Sequence, residues 1–243
     1  DLIDKIFNTS PTETPVITAF GRSNTTNTYH EWQRDSLATA NKDNALIDGD
    51  DFSAQALVAT ARVGNHCQIF NAQPAVSRRA NIVKTAEMAY QKAKAMLEIK
   101  RHMEASIVSN NPAVAGNSAT ASKAGGLGVQ NYANTNHGAG GSTAAWTSGA
   151  PTAAPTPGTP RGFTEVILKD VVQKSYIASG EVPRMVVMSP NHKGVFSGFT
   201  GIAVNRYQVG KKEQGRIVGG ADVYLTDSGE LQIVHHYLMA ATT

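Results

Sequence analysis

Three features of the 243-residue sequence predict an α+β fold. Over 87–110, Ala89, Ala93, Met96, Met103 and Ile107 recur at three-, four- and seven-residue spacings, which places them on one face of a long helix. Near the end of the chain, Val223-Tyr224-Leu225 and Leu231-Gln232-Ile233-Val234 flank Asp227-Ser228-Gly229, the strongest hairpin signal present. Before the helix, residues 24–84 alternate extended and polar stretches with few large apolar side chains.

Each element follows in order. Residues 1–23 open with a short amphipathic turn (Leu2, Ile3, Ile6, Phe7). A stretch around Pro11 and Pro15 follows and should run extended, because proline disfavours helix at and before itself. This arm has too little apolar surface for a core and must dock on something. Within 24–84, Tyr29–Arg34 is strand-like and Asp48-Gly49 is a turn. Phe52, Ala54, Ala56 and Val58 then alternate, and Gln68-Ile69-Phe70 leads to Val76-Ser77. Together they suggest a long hairpin-like excursion that needs a partner surface, since two strands alone are marginal in water.

The helix over 87–110, widened by Leu97 and Val108 and ended by Asn110-Asn111-Pro112, would be about 36 Å long. Residues 112–160 change character: Lys123 is the only Asp, Glu, Lys or Arg there. That composition fits a flexible linker or insertion, or a loop-rich surface subdomain anchored by Leu127, Val129, Tyr132 and Trp146. Partial order is expected, because long structureless loops are unusual inside a domain. After 160, Thr164 should cap a helix carrying Val166, Ile167, Val171, Val172 and Ile177, closed by Gly180. Met185-Val186-Val187-Met188 reads as a buried strand, and Ser189-Pro190 as the start of a short helix.

Composition narrows the function. The chain is 41% apolar and 17% charged, with net charge +3, which argues against a charge-rich disordered chain or a coiled coil. No run approaches the ~18 apolar residues of a membrane helix, and no signal peptide is visible. A start at Asp1 fits a removed leader or a trimmed chain. A single cysteine, Cys67, excludes an intrachain disulfide and reads as a small buried hydrophobe. The weak basic excess tolerates polyanions without marking a dedicated nucleic-acid binder.

Motifs for chemistry are missing: there is no P-loop, HExxH, GxSxG or CxxC. Gly125-Gly126-Leu127-Gly128 lacks the spacing of a dinucleotide fingerprint. His235 and His236 are adjacent in a strand and point to opposite faces, so they cannot easily share a metal. Asp48, Asp50 and Asp51 read as a solvated turn rather than a calcium loop. The sequons at Asn8 and Asn24 matter only in a secreted protein. No catalytic, cofactor-binding or metal residues are therefore nominated. A dispersed enzyme site, for example His102 or His192 with Asp170, has no support from spacing.

The order of features resembles the major capsid proteins of tailed bacteriophages, the Hong Kong 97-type fold shared with herpesvirus capsids. The stretches that carry the resemblance are Asn27 to Ala38, Arg62 to Phe70, Val76-Ser77, Glu87 to Asn110, Ala124 to Leu127, Arg161 to Glu165, Val187 to Pro190 and Asp227 to Leu231. The resemblance implies an N-terminal arm (1–23), an extended E-loop hairpin (24–84) that reaches across a neighbouring subunit, and the spine helix of a peripheral domain (85–111). It further implies a Gly/Ala/Ser/Thr-rich peripheral-domain insertion (112–162) and a mainly axial, mixed α/β domain (163–243). The implied protein is not an enzyme. It assembles into hexamers and pentamers, forms an icosahedral shell around double-stranded DNA, and works with scaffolding, portal and decoration proteins. It would be made in the bacterial cytoplasm and reside in the virion, without membrane or cofactor.

Such proteins usually carry more residues where this chain runs Lys84-Thr85-Ala86-Glu87, and a further strand where it stops at Thr243; a real shortening or missing residues would account for both. Covalent Lys–Asn cross-linking, known in the wider fold, is not assigned here, and Lys42 is not nominated for it. The alternative is another phage structural component, a tail-tube, decoration or adhesin protein, suggested by the Gly/Ala/Thr-rich segment.

Overall fold

The computed structural model describes residues 10–51, 57–82, 88–199 and 222–239. The amphipathic turn at Leu2–Phe7, the alternation from Phe52 to Ala56, the Lys84–Glu87 junction and Thr243 lie outside them.

In the arm, Pro15–Ala19 form a helical turn, α1, instead of extended chain. Pro15 sits at its first position, where the missing N–H would have had no helical acceptor and the fixed φ already suits a helix. Tyr29–Arg34 is β1, as expected. It pairs antiparallel with β2 at Ala61–His66, in the register Tyr29↔His66 and Arg34↔Ala61. The second strand is therefore not the apolar Gln68–Phe70. Polar β2 is held in place because its Gly64 N–H donates to Gly149 O at 2.9 Å. Gly64 is also required there: a Cβ would stand 2.6 Å from both the His30 carbonyl and the Tyr29 ring. Between the strands, Gly49 (φ +86°) makes the expected turn.

Arg78–Ile82 form α2, and Met88–Ile107 form α3, 20 residues and about 30 Å long. The sequence-predicted stripe does not face the protein's interior. Ala89, Ala93, Met96 and Met103 are exposed, whereas Ala95 and Glu104 are buried. Periodicity identifies an apolar face without saying what covers it, and here α1 lies on the Glu104 side.

Residues 112–160 are an ordered, loop-rich unit. Leu127–Gln130 form α4, and Trp146–Thr147 (β3) pairs with Ala150–Pro151 (β4) across Ser148-Gly149, both at positive φ. Bridges join Val114 to Lys123 and Ser142 to Thr156. Of the four anchors, Val129 is buried and Trp146 half-buried, its indole N–H donating to Val129 O at 3.2 Å. Leu127 and Tyr132 are exposed, although Tyr132 meets Trp146 edge-on.

The last unit holds the main core. Thr164 precedes α5 (Glu165–Ser179), which Gly180 closes at φ 72°. Met185–Met188 is β5 and Pro190–Ser197 is α6, capped by Ser189 Oγ, which accepts from His192 N–H at 3.3 Å. Val223–Thr226 (β6) and Gly229–His235 (β7) form the expected hairpin. The sheet order is β5-β7-β6, with β5 parallel to the central β7. As an edge strand, β5 is only half-buried up to Met188. Leu168, Val172, Met188, Phe196, Phe199, Leu231 and Ile233 pack between the helices and one sheet face. Val166 and Ile177, assigned to that helix's apolar face, are exposed instead, and Leu168 takes the inward position.

Candidate functional site

Apolar side chains are distributed in an unusual way. Among the described residues, 21 large apolar side chains are exposed against 14 apolar residues buried. Single exposed apolar residues are ordinary, whereas contiguous ones mark contact surfaces. Two groups stand out. The first belongs to the excursion between β1 and β2, with Leu37 98% exposed, Leu57 100% exposed, and Leu46, Ile47 and Val58 also exposed. The second is the outward face of α3, with Met96 and Met103.

The two groups carry opposite charge. Over residues 35–51 stand Asp35, Asp43, Asp48, Asp50 and Asp51 against Lys42, which Asp43 pairs at 2.9 Å. On α3, exposed Lys92 and Lys100 flank Met96 at four-residue spacing, so they share its face. Lys94 is engaged by Glu98 at 3.8 Å on the same helix. The excursion is thus acidic and apolar, and the helix face basic and apolar.

A buried junction positions α3. Glu104 accepts hydrogen bonds from Val16 N–H at 2.8 Å and Ile17 N–H at 2.9 Å. His236 Nε2 lies 2.8 Å from its Oε1, and both side chains are 0% exposed. α1, α3 and the end of β7 therefore meet on one carboxylate. Nothing in the sequence marks Glu104, since a glutamate in a Lys/Arg-rich helix reads as solvated.

Surface ties fix α5. Glu165 accepts from Lys169 (2.8 Å) and from Tyr224 Oη (2.7 Å), joining α5 to β6. These bonds, Lys169 first, hold the Glu165 carboxyl below the ordinary glutamate range. Asp170 accepts from Lys174 (2.7 Å) and Asn136 Nδ2 (2.5 Å), and the Lys174 bond lowers its carboxyl likewise. Arg161 donates to the Asn136 side chain, tying the loop-rich unit to the start of α5. A lowered native carboxyl contributes stability above the unfolded value and loses it as pH falls through the native one. Glu165→Gln is therefore expected to unfold at lower temperature than wild type at neutral pH. That gap should close on acidification below the glutamate range. Thermal melts across pH check this, and a gap that persists in acid contradicts it.

The remaining sequence candidates fall as follows. His235 is exposed and His236 buried, on opposite faces as expected. Cys67 is half-buried rather than buried, with Sγ 3.5 Å from Asn27 O, because it lies just past the end of β2 on an open ribbon. Asp48, Asp50 and Asp51 lie in an exposed turn. The N–H groups of Gly125, Gly126 and Gly128 are taken by Asn65, Asn111 and Ser109, so none is free to cradle a phosphate. The structure does not assemble a dispersed site of His102 or His192 with Asp170: His102 is exposed, His192 bonds Ser189 Oγ at 2.8 Å, and Asp170 is engaged as above. Among the described residues, no cluster of His, Cys, Asp and Glu could hold a metal ion, and no helix is long and apolar enough to cross a membrane.

A protein-family model described as SU10 major capsid protein matches residues 1–243, the entire sequence. A relative, the major capsid protein of Escherichia phage Phieco32, is 28% identical over 222 residues, covering 78% of this chain. The match spans 63% of that protein's length. Exposed, charge-complementary apolar surfaces on an α+β chain agree with this match, and the chain belongs to the SU10 major capsid protein family.

Proposed function

We propose that the chain is the shell-forming subunit of a tailed-phage head, assembling into hexamers and pentamers that enclose double-stranded DNA. The observation that carries the reading is the pair of exposed surfaces of opposite charge, on the β1–β2 excursion and on α3. Seated on one another between copies, they make a heterologous head-to-tail contact, and such contacts make rings when the rotation between copies closes. Exposed Leu37, Leu46, Ile47 and Leu57 would then be covered by α3 of the next copy, the role of an E-loop over a neighbour's spine helix.

In this assignment residues 1–23 are the arm, 24–84 the E-loop, 85–111 the spine helix of a peripheral domain and 112–162 its insertion. Residues 163–243 form most of the axial domain around the symmetry axes. The net charge of +3 suits a wall that encloses DNA without gripping it. The subunit is made in the host cytoplasm and works with scaffolding, portal and decoration proteins. Family membership supports a structural role in the virion.

Purified protein, with a scaffolding partner where needed, should sediment as capsomers or shells visible by electron microscopy. A monomer at every concentration, with no particles, would refute the reading.

A further inference from the structure

Three stretches of chain far apart in sequence share one buried carboxylate. Glu104 takes N–H groups from residues 88 and 87 positions earlier, and is bonded to a ring 132 positions later. The donor at His236 is fixed by its other nitrogen. Nδ1 accepts the Leu238 N–H at 3.1 Å, so Nε2 carries the proton and donates to Glu104. Val16 and Ile17 lie in the first turn of α1, where backbone N–H groups have no acceptor within the helix. Glu104 thus satisfies donors that the arm cannot satisfy alone.

The same joint has a second brace. The His236 ring stacks on Tyr237, with centroids 5.4 Å apart and planes 6° apart. Arg101, three residues before Glu104 on α3, lies 6.0 Å from the Tyr237 ring centroid. A buried carboxylate is tolerated only while its donors remain, because the charge has been taken from water. Loss of any one donor leaves the charge under-solvated and favours opening the joint to water, and this makes the seating of the three stretches interdependent.

We propose that Glu104 and His236 are a positioning pair that couples the seating of the N-terminal arm to the docking of the end of β7 on α3. The arm is then a strap: displacing it, for instance by contact with another copy, loosens the joint between the helix and the C-terminal sheet. This goes beyond the shell-forming reading and does not depend on it.

Hydrogen exchange on the full-length, unassembled subunit tests the coupling. His236→Leu removes a donor that is bonded to Glu104 and Leu238 rather than to Val16 or Ile17. It should nevertheless speed exchange of those two amides by about tenfold to a hundredfold, the range for a lost bond to a charged group. His236→Gln, whose amide can occupy the Nε2 position, should restore most of the protection. Coupling is reciprocal, so a chain lacking residues 1–20 should show a comparable rise at His236 and Leu238, whose N–H groups donate to Met188 O and His236 Nδ1. Unchanged Val16 and Ile17 exchange in a folded His236→Leu protein would overturn the proposal. If that variant fails to fold, unchanged His236 and Leu238 exchange in the arm-deleted chain would overturn it equally.

Discussion

Subunits carrying Leu46→Asp and Ile47→Asp are expected to fold normally and fail to form shells. Both side chains project into solvent from the excursion, 60% and 79% exposed, and contact no core. Surface replacements of this kind usually change stability by no more than about 0.5 kcal/mol. In an interface the same residues would each contribute about 1.5–3 kcal/mol on burial, repeated at every contact of the lattice. The loss comes from the apolar contact: a carboxylate in place of Leu46 or Ile47 would have to be desolvated where the interface offers apolar surface. Thermal unfolding and sedimentation together read the result. Shells at wild-type yield would remove the excursion from the assembly contact, whereas a collapsed melting temperature would show that it belongs to the subunit core.

Phe196→Ala carries the largest expected loss of subunit stability, about 3–5 kcal/mol. The ring is fully buried, at 5.4 Å from Phe199 and 5.5 Å from Tyr224 in edge-to-face contact, and it lies in the cluster that joins α6 to the sheet. Typical domains have about 5–15 kcal/mol in total, so this one truncation could consume most of it. Denaturant titration against wild type measures the change. A loss under about 1 kcal/mol would mean that the site repacks or that this cluster is not the main core.

Elements marked by local chemistry are legible in the amino-acid sequence. The Asp227-Ser228-Gly229 hairpin, the Ser189-Pro190 helix start, the Gly180 stop and the Tyr29–Arg34 strand all emerge where the residues place them. Each depends on a turn, cap or alternation spanning a few neighbouring positions, so its physics is complete within a short window. Even Pro15 follows a local rule, though the applicable one is that for a helix start rather than for a breaker.

Partnership between distant segments is not legible in the same way. Periodicity reveals an apolar stripe on α3, but only the tertiary structure shows that the stripe faces outward while Glu104 faces in. The second strand is the polar Ala61–His66 because Gly149 and β1 supply its partners, and no window around residue 61 contains either. The small-residue segment 112–160 likewise gains its order from bridges such as Ser142–Thr156, which composition does not encode. The residues alone therefore decided that this is an α+β chain whose arm and excursion have too little apolar surface for a core of their own. Which surface stays open, and which glutamate closes around the arm, was decided by contacts 87 to 132 residues apart, since burial is a property of the partner as much as of the side chain.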